Sequence, residues 1–252
     1  MTLERYTRWQ AAPVHLGISA VIAAIVLATM LLLWYPHPYF QVAGGQTLLL
    51  LLIGVDVIVG PLLTLVVFDP RKKHLVFDLA LIAMLQFGAL TYGAAIMFNA
   101  RPVYVAFAGD RFELVEANAI DPTDLAKAAP VFRELPLTGP HVVGTRLPYF
   151  DAHELDRLKM ATLTGGSIGV FPQHYVPYAT QSRTVLARSE PLAALRGKHP
   201  DAAGEIDRVV RASGKPEADL RYLPLQARHG DMAVVVDAAG GAVQGVVAID
   251  PW

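Results

Sequence analysis

Between residues 13 and 55 the chain carries no Lys, Arg, Asp or Glu. Three apolar stretches stand out, 13–35, 47–68 and 75–98. Each has about 22–24 residues. At about 1.5 Å rise per residue each gives ~33–36 Å of helix, against a hydrocarbon core about 30 Å thick. Buried helices of soluble proteins seldom run so long without charge. Residues 1–100 therefore read as three transmembrane α-helices. The first stretch exceeds the ~7–15 residue core of a secretory signal. With two more spans behind it, it reads as a retained helix.

Charge divides the chain at the same place. Residues 1–100 hold five of the 21 Lys and Arg and four of the 22 acids. Residues 101–252 have the make-up of an ordinary globular domain. A net charge of −1 gives no field to recruit nucleic acid. The absence of cysteine excludes disulfides, thiolate zinc sites and cysteine nucleophiles.

Basic residues near helix ends set orientation. Arg5 and Arg8 precede the first span, and Arg71-Lys72-Lys73 fill the short loop between the second and third. The loop 36–46 has no Lys or Arg. This pattern puts the N-terminus and the 69–74 loop in the cytoplasm and residues 101–252 on the far side. Trp34, Tyr35, Tyr39 and Phe40 would then form an aromatic belt at the far face.

Asp56 falls near the middle of the second span, where a charged residue costs roughly 2.5–3.5 kcal/mol to insert. It should face other helices, with Gln86 of the third span at similar depth as a hydrogen-bond partner. Asp78 lies at the depth of His15, a second candidate pair. These pairs read either as locks between the helices, as a polar notch for a partner helix, or as part of a proton path. Gly60-Pro61 in mid-span frees backbone groups and favours a kink, and Gly54 and Gly60 allow close helix approach.

The remainder reads as a small α+β domain with antiparallel strands. Residues 103–108 and 111–116 form a hairpin about Gly109-Asp110. Asp121-Pro122 caps a short helix, and Asp151 with Glu154 resembles a capping box for a helix through about residue 161. Segments 131–137 and 141–147 look like strands. Ser189-Glu190-Pro191 starts a short helix, and 201–213 is amphipathic with Gly214 as its stop. The chain closes in a meander over 222–228, 232–237 and 242–249.

Little catalytic chemistry is visible. Gly165-Gly166-Ser167-Ile168-Gly169 matches G-x-S-x-G, with Asp201 and His229 following in hydrolase order. A helix precedes that serine, however, and Phe171-Pro172 blocks one after it, so a glycine-rich loop is the better reading. No histidine pair stands at metal-ligand spacing and no nucleotide motif occurs. No enzyme, cofactor, metal or small-molecule substrate is expected. The run Phe171-Pro172-Gln173-His174-Tyr175-Val176-Pro177-Tyr178 is stiff and aromatic. It reads either as a strap across the sheet or as a partner-binding surface centred on Phe171, Tyr175 and Tyr178.

Six pieces occur in order: Trp34-Tyr35-Pro36; Gly54-Val55-Asp56-Val57 with Gly60-Pro61-Leu62-Leu63-Thr64; Phe77-Asp78-Leu79; Arg101-Pro102-Val103-Tyr104 with Asp110-Arg111-Phe112; the run 171–178; and Asp250-Pro251-Trp252. Together they resemble the TfpX/TfpZ family of type IV pilin accessory proteins over nearly the whole chain, with 179–220 contributing nothing. The resemblance implies a multi-pass protein of the bacterial inner membrane with a periplasmic domain. It implies help in assembling a cognate type IV pilin, with other pilus assembly proteins and membrane lipid as further partners. Asp56, Gly60, Pro61, Asp78, Phe171, Tyr175 and Tyr178 are then the candidate partner-binding residues. The alternative is a membrane-tethered ligand-binding or sensor module.

Overall fold

The computed structural model describes residues 7–148, 151–163 and 167–252. Arg5 of the orientation argument and Gly165 and Gly166 of the glycine-rich turn lie outside the described residues. The chain divides into two compact units. One is Met1–Pro36 with Gly44–Asn99, and the other is His37–Ala43 with Ala100–Trp252. The short connection after the first helix thus folds with the C-terminal unit.

In the first unit, α1 (Arg8–Thr29) continues through a π-helical turn, Met30–Trp34, to make a 27-residue helix. α4 (Leu75–Asn99) has 25 residues. By length and composition these two suffice to cross a membrane. The middle stretch is interrupted: α2 (Gly45–Ile53) and α3 (Gly60–Val67) flank a π-helical segment, Gly54–Val59. The backbone stays helical at both joints, with φ/ψ of −64/−40 at Ile53 and −66/−41 at Val59. Pro61 lacks an N–H and its ring crowds the carbonyl four residues back, and the wider π register ahead of it absorbs the mismatch.

Polar side chains join these helices. His15 Nδ1 and Thr64 Oγ1 are hydrogen-bonded at 2.6 Å. Gln86 Nε2 donates to the Asp56 carbonyl oxygen at 3.2 Å. The Tyr35 hydroxyl donates to the Met97 carbonyl at 2.7 Å, and the Trp34 and Phe98 rings meet edge-on at 5.2 Å. Ile25, Leu32, Met84 and Phe87 point outward and exposed, a surface suited to lipid.

The second unit is built on one sheet with strand order β4-β3-β1-β2-β6-β7-β8 and β5 paired to β6. β1 (Pro102–Phe107) and β2 (Phe112–Glu116) form the expected hairpin, turning at Gly109 with φ +96. β3 (His141–Thr145) lies parallel to β1 and ends against β4 (Tyr175–Val176). β5 (Glu190–Pro191) and β6 (Leu220–Gln226) are antiparallel, and β7 (Met232–Asp237) and β8 (Val243–Val247) complete the meander. β6 is parallel to β2. The sheet is therefore mixed rather than antiparallel, because chain crossovers and not hairpins carry it from β2 to β3 and back to β6. The expected strand over 131–137 is a 3-10 turn, Pro130–Phe132, and irregular chain. Pro130 and Pro136 remove two donors, and Val131 is 76% exposed.

The helix α5 (Ala152–Leu163) precedes α6 (Ser182–Arg188), α7 (Leu192–Lys198) and α8 (Ala203–Ser213), which pack on this sheet. α6 was not foreseen. Gly214, at φ +65, closes α8 as expected. Alternation along β6 sorts the core into two faces. Leu223 and Leu225 join Phe107, Phe112 and Val234 on one face, where Val185 of α6, Val42 and Tyr39 cover them. Leu220 and Tyr222 point the other way, under Leu192, Leu195, Ile206 and Val209 of α7 and α8. A separate cover lies over β1–β3, where Val103, Ala106, Val115 and Val143 meet Ile120 and Tyr175. Between the two covers the sheet is joined by two residue pairs only, Phe112↔Leu225 and Glu113↔Gln226.

Candidate functional site

The candidates in the first unit are mostly internal. Asp56, Gly60 and Pro61 are buried. The Asp56 side chain does not meet Gln86, whose amide bonds the Asp56 backbone instead. Oδ1 of Asp56 is buried with no hydrogen-bond partner among the described residues. A Cβ at Gly60 would fall on the Gln86 side-chain amide, so glycine is what lets α4 approach. Gly54 has open space where a Cβ would stand. His15 pairs with Thr64 rather than Asp78, and Asp78 lies 3.7 Å from Lys72 at the start of α4.

The aromatic run is a strap. Phe171 and Tyr175 are buried, Tyr175 between Tyr104 and Phe132 with ring centroids at 5.0 and 5.7 Å. The Tyr175 hydroxyl donates to the Gly169 carbonyl. Tyr178 is half-buried and donates to the Gly241 carbonyl at 2.5 Å. The Arg157 guanidinium lies 5.0 Å over the Phe171 ring, tying α5 to the strap. Tyr39, expected in a membrane belt, packs on the sheet core instead.

Between the two covers, over the two-pair junction of β2 and β6, lies a cleft of about 1220 Å³. Its floor is Glu113, Val115 and Gln226, and its walls are α5 (Leu155, Leu158) and the turn after it (Ile168, Val170). β2 alternates Phe112 down into the core and Glu113 up into the cleft. An acid in that slot of a strand was the one sequence signal for the cleft. Glu113 accepts from the Ser167 hydroxyl and from the Gly169 N–H, the latter at 2.9 Å. Burial pushes its carboxyl above the usual glutamate value, against the lowering effect of those two hydrogen bonds. A Cβ at Gly169 would stand 2.7 Å from Glu113 Oε2, so the last glycine of G-x-S-x-G serves close approach. Ser167 caps the 3-10 turn Ile168–Val170 and binds Glu113; Asp201 and His229 are not its hydrogen-bond partners.

Asp110 and Arg111 stand at the mouth as a doubly bonded pair, 3.0 and 3.1 Å. The Arg111 hydrogen bond holds Asp110 below the usual carboxylate range, against a smaller desolvation. Lys159 and Arg228 are the other cations of the lining. Among the described residues no cluster of His, Cys, Asp and Glu could hold a metal ion.

Comparison with known proteins gives a consistent picture. Residues 4–44 match the family model of the fimbrial assembly protein FimB. The chain is 32% identical over 182 residues to the serogroup I fimbrial assembly protein of Dichelobacter nodosus, covering 71% of this chain and 70% of that relative. Over 228 residues it is 31% identical to the serogroup E1 protein of the same organism, covering 89% and 88%. The protein of serogroups C1 and C2 is 34% identical over 117 residues, 46% of this chain and 89% of that relative. No solved structure matches the chain.

Proposed function

We propose, since the chain belongs to the fimbrial assembly protein family, that it is a non-enzymatic accessory factor of the bacterial inner membrane in type IV pilus biogenesis. Within that family we assign it to the TfpX/TfpZ type, on the six ordered pieces of sequence given above. It assists a cognate pilin through its membrane helices and through a periplasmic domain.

The observation that carries this reading is the split origin of the second unit. His37–Ala43 folds with Ala100–Trp252. The His229 N–H donates to the Val42 carbonyl at 3.2 Å, and Val42 and Tyr39 pack on the sheet core. Two segments of one folded body share one side of a membrane. The chain between them must then cross an even number of times. α4 is long and apolar enough to cross, which favours a crossing by the helical run 45–67 as well. That supports three spans. The basic Arg71-Lys72-Lys73 turn then favours a cytoplasmic N-terminus and a periplasmic C-terminal domain.

A pilin subunit with an apolar helix and an extracytoplasmic head can meet both parts of such a protein. Helices in lipid associate through close packing and hydrogen bonds. The stretch Asp56, Gly60 and Pro61, with Asp78 at the cytoplasmic end, is the proposed membrane contact. Asp56 supports it chemically, since a donor brought by a partner helix would satisfy its unpaired Oδ1. Deleting the protein is expected to lower surface pili while pilin synthesis continues. Undiminished piliation would overturn the reading. Asp56→Leu is expected to lower co-purification of pilin, and equal recovery would remove Asp56 from the contact.

A further inference from the structure

Resting on that reading, we propose that the cleft over the β2–β6 junction binds an extended, apolar stretch of the pilus subunit that carries a carboxylate. The cleft exceeds the ~300–1,000 Å³ common for small-molecule sites. Its walls are aliphatic: Val115, Leu155, Leu158, Ile168 and Val170. Leu163, also in the lining, is 80% exposed.

Charge selects the kind of occupant. Five ionisable side chains line the cleft: Asp110, Arg111, Glu113, Lys159 and Arg228. Asp110 and Arg111 neutralise each other through two hydrogen bonds. Glu113 is engaged internally by Ser167 and Gly169. The balance is two cations whose side chains are largely exposed. The Arg228 side chain is 70% exposed and 3.7 Å from Glu116. Lys159 meets Asp156 at 3.0 Å, but both side chains are more than half exposed. The Lys159–Asp156 pair is exposed at both ends and contributes little, so Lys159 exchanges its partner readily, whereas Arg228 stays beside the buried Glu116 and presents a largely exposed side chain to an occupant. An acid entering along the apolar wall meets both cations in a partly desolvated setting, where attraction is stronger than in water. A basic occupant would meet repulsion at the same two positions.

Photo-crosslinking in intact piliated cells tests this, using the full-length protein and detection with antibody to the pilus subunit. One crosslinker replaces Leu163 in the cleft lining, and another replaces the outward-facing Ile58 in the first unit. The expected result is a subunit adduct from position 163 that falls about five-fold in Lys159→Gln, with the adduct from position 58 changed by less than about two-fold. The Lys159 side chain is 62% exposed, and an unchanged thermal midpoint confirms that the variant folds. An undiminished adduct at 163 in the variant overturns the carboxylate claim. Adducts at 58 without any at 163 overturn the cleft as the contact. No subunit adduct at either position, in cells whose piliation does not depend on the protein, sinks the assembly role itself.

Discussion

Glu113 shows what one side chain does when a strand places it under a cover. Its carboxyl is raised because burial disfavours the charged form more than Ser167 and Gly169 favour it. A raised acid holds its proton more tightly in the folded state than in the unfolded one. Its contribution to stability is therefore fullest below the ordinary value of 4.5 and declines as pH rises through the folded value. Glu113→Gln keeps an acceptor for both donors and removes the titration. Thermal midpoints of the purified protein between pH 4 and 8 are expected to fall less steeply in the variant, and an unchanged slope would refute the assignment. Asp124 behaves oppositely. It is 2% exposed, and hydrogen bonds from Arg157 at 2.5 Å and Lys127 at 3.0 Å outweigh its desolvation and hold it below the usual range. Arg157→Leu strands that carboxylate with Lys127 alone. The expected cost is about 2 kcal/mol in denaturant unfolding, under the roughly 3–5 kcal/mol of a fully uncompensated buried charge. Asp121 and Asp151 could be read from sequence as helix caps, since that chemistry is local: Asp121 accepts from Thr123 N at 2.7 Å and Asp151 from Glu154 N at 3.1 Å. The pairing of Asp124 with Arg157, 33 positions apart, could not.

At the scale of elements, the connection His37–Ala43 is the least legible piece. Seven residues with no acid or strong base between two apolar helices look like a loop with interfacial aromatics, and only the fold shows them as part of a core. Their packing makes a specific demand. Val42→Ala removes two buried methyl groups from the sheet core, worth about 1.5 kcal/mol at ~0.8 kcal/mol each. Limited proteolysis of Ala100–Trp252 is expected to accelerate accordingly, although residue 42 precedes that segment by more than 50 positions. Unchanged proteolysis would mean the contact contributes nothing. The helices themselves were legible wherever period and caps agreed, as in α8 with its Gly214 stop. The parallel partners β1/β3 and β2/β6 were hidden because register across a long crossover leaves no periodic trace. The cleft was hidden with them, since it exists only where those two half-sheets meet.

The whole molecule is constrained by counting crossings. Two long apolar helices alone, Arg8–Trp34 and Leu75–Asn99, would put His37–Ala43 and Ala100–Trp252 on opposite faces of a membrane. Their common fold disfavours that, and the arrangement we propose instead makes the π-interrupted run 45–67 the middle span. It has the length, about 34 Å at ~1.5 Å per residue. It also has the means to keep its backbone satisfied around Pro61, because the π register of Gly54–Val59 and the Gln86 bond to the Asp56 carbonyl both act there. The absence of cysteine makes the arrangement measurable, since any introduced thiol is the sole one. Cysteines placed at the exposed Gln41 and the half-exposed Gln244 are expected to react with a membrane-impermeant maleimide once the outer membrane is opened. A cysteine at Lys73 is expected to react only after lysis. Labelling at 41 and 244 on opposite sides would break the shared fold of the second unit. Labelling of all three from outside would remove the middle crossing, and with it the case for an extracytoplasmic domain held on three spans.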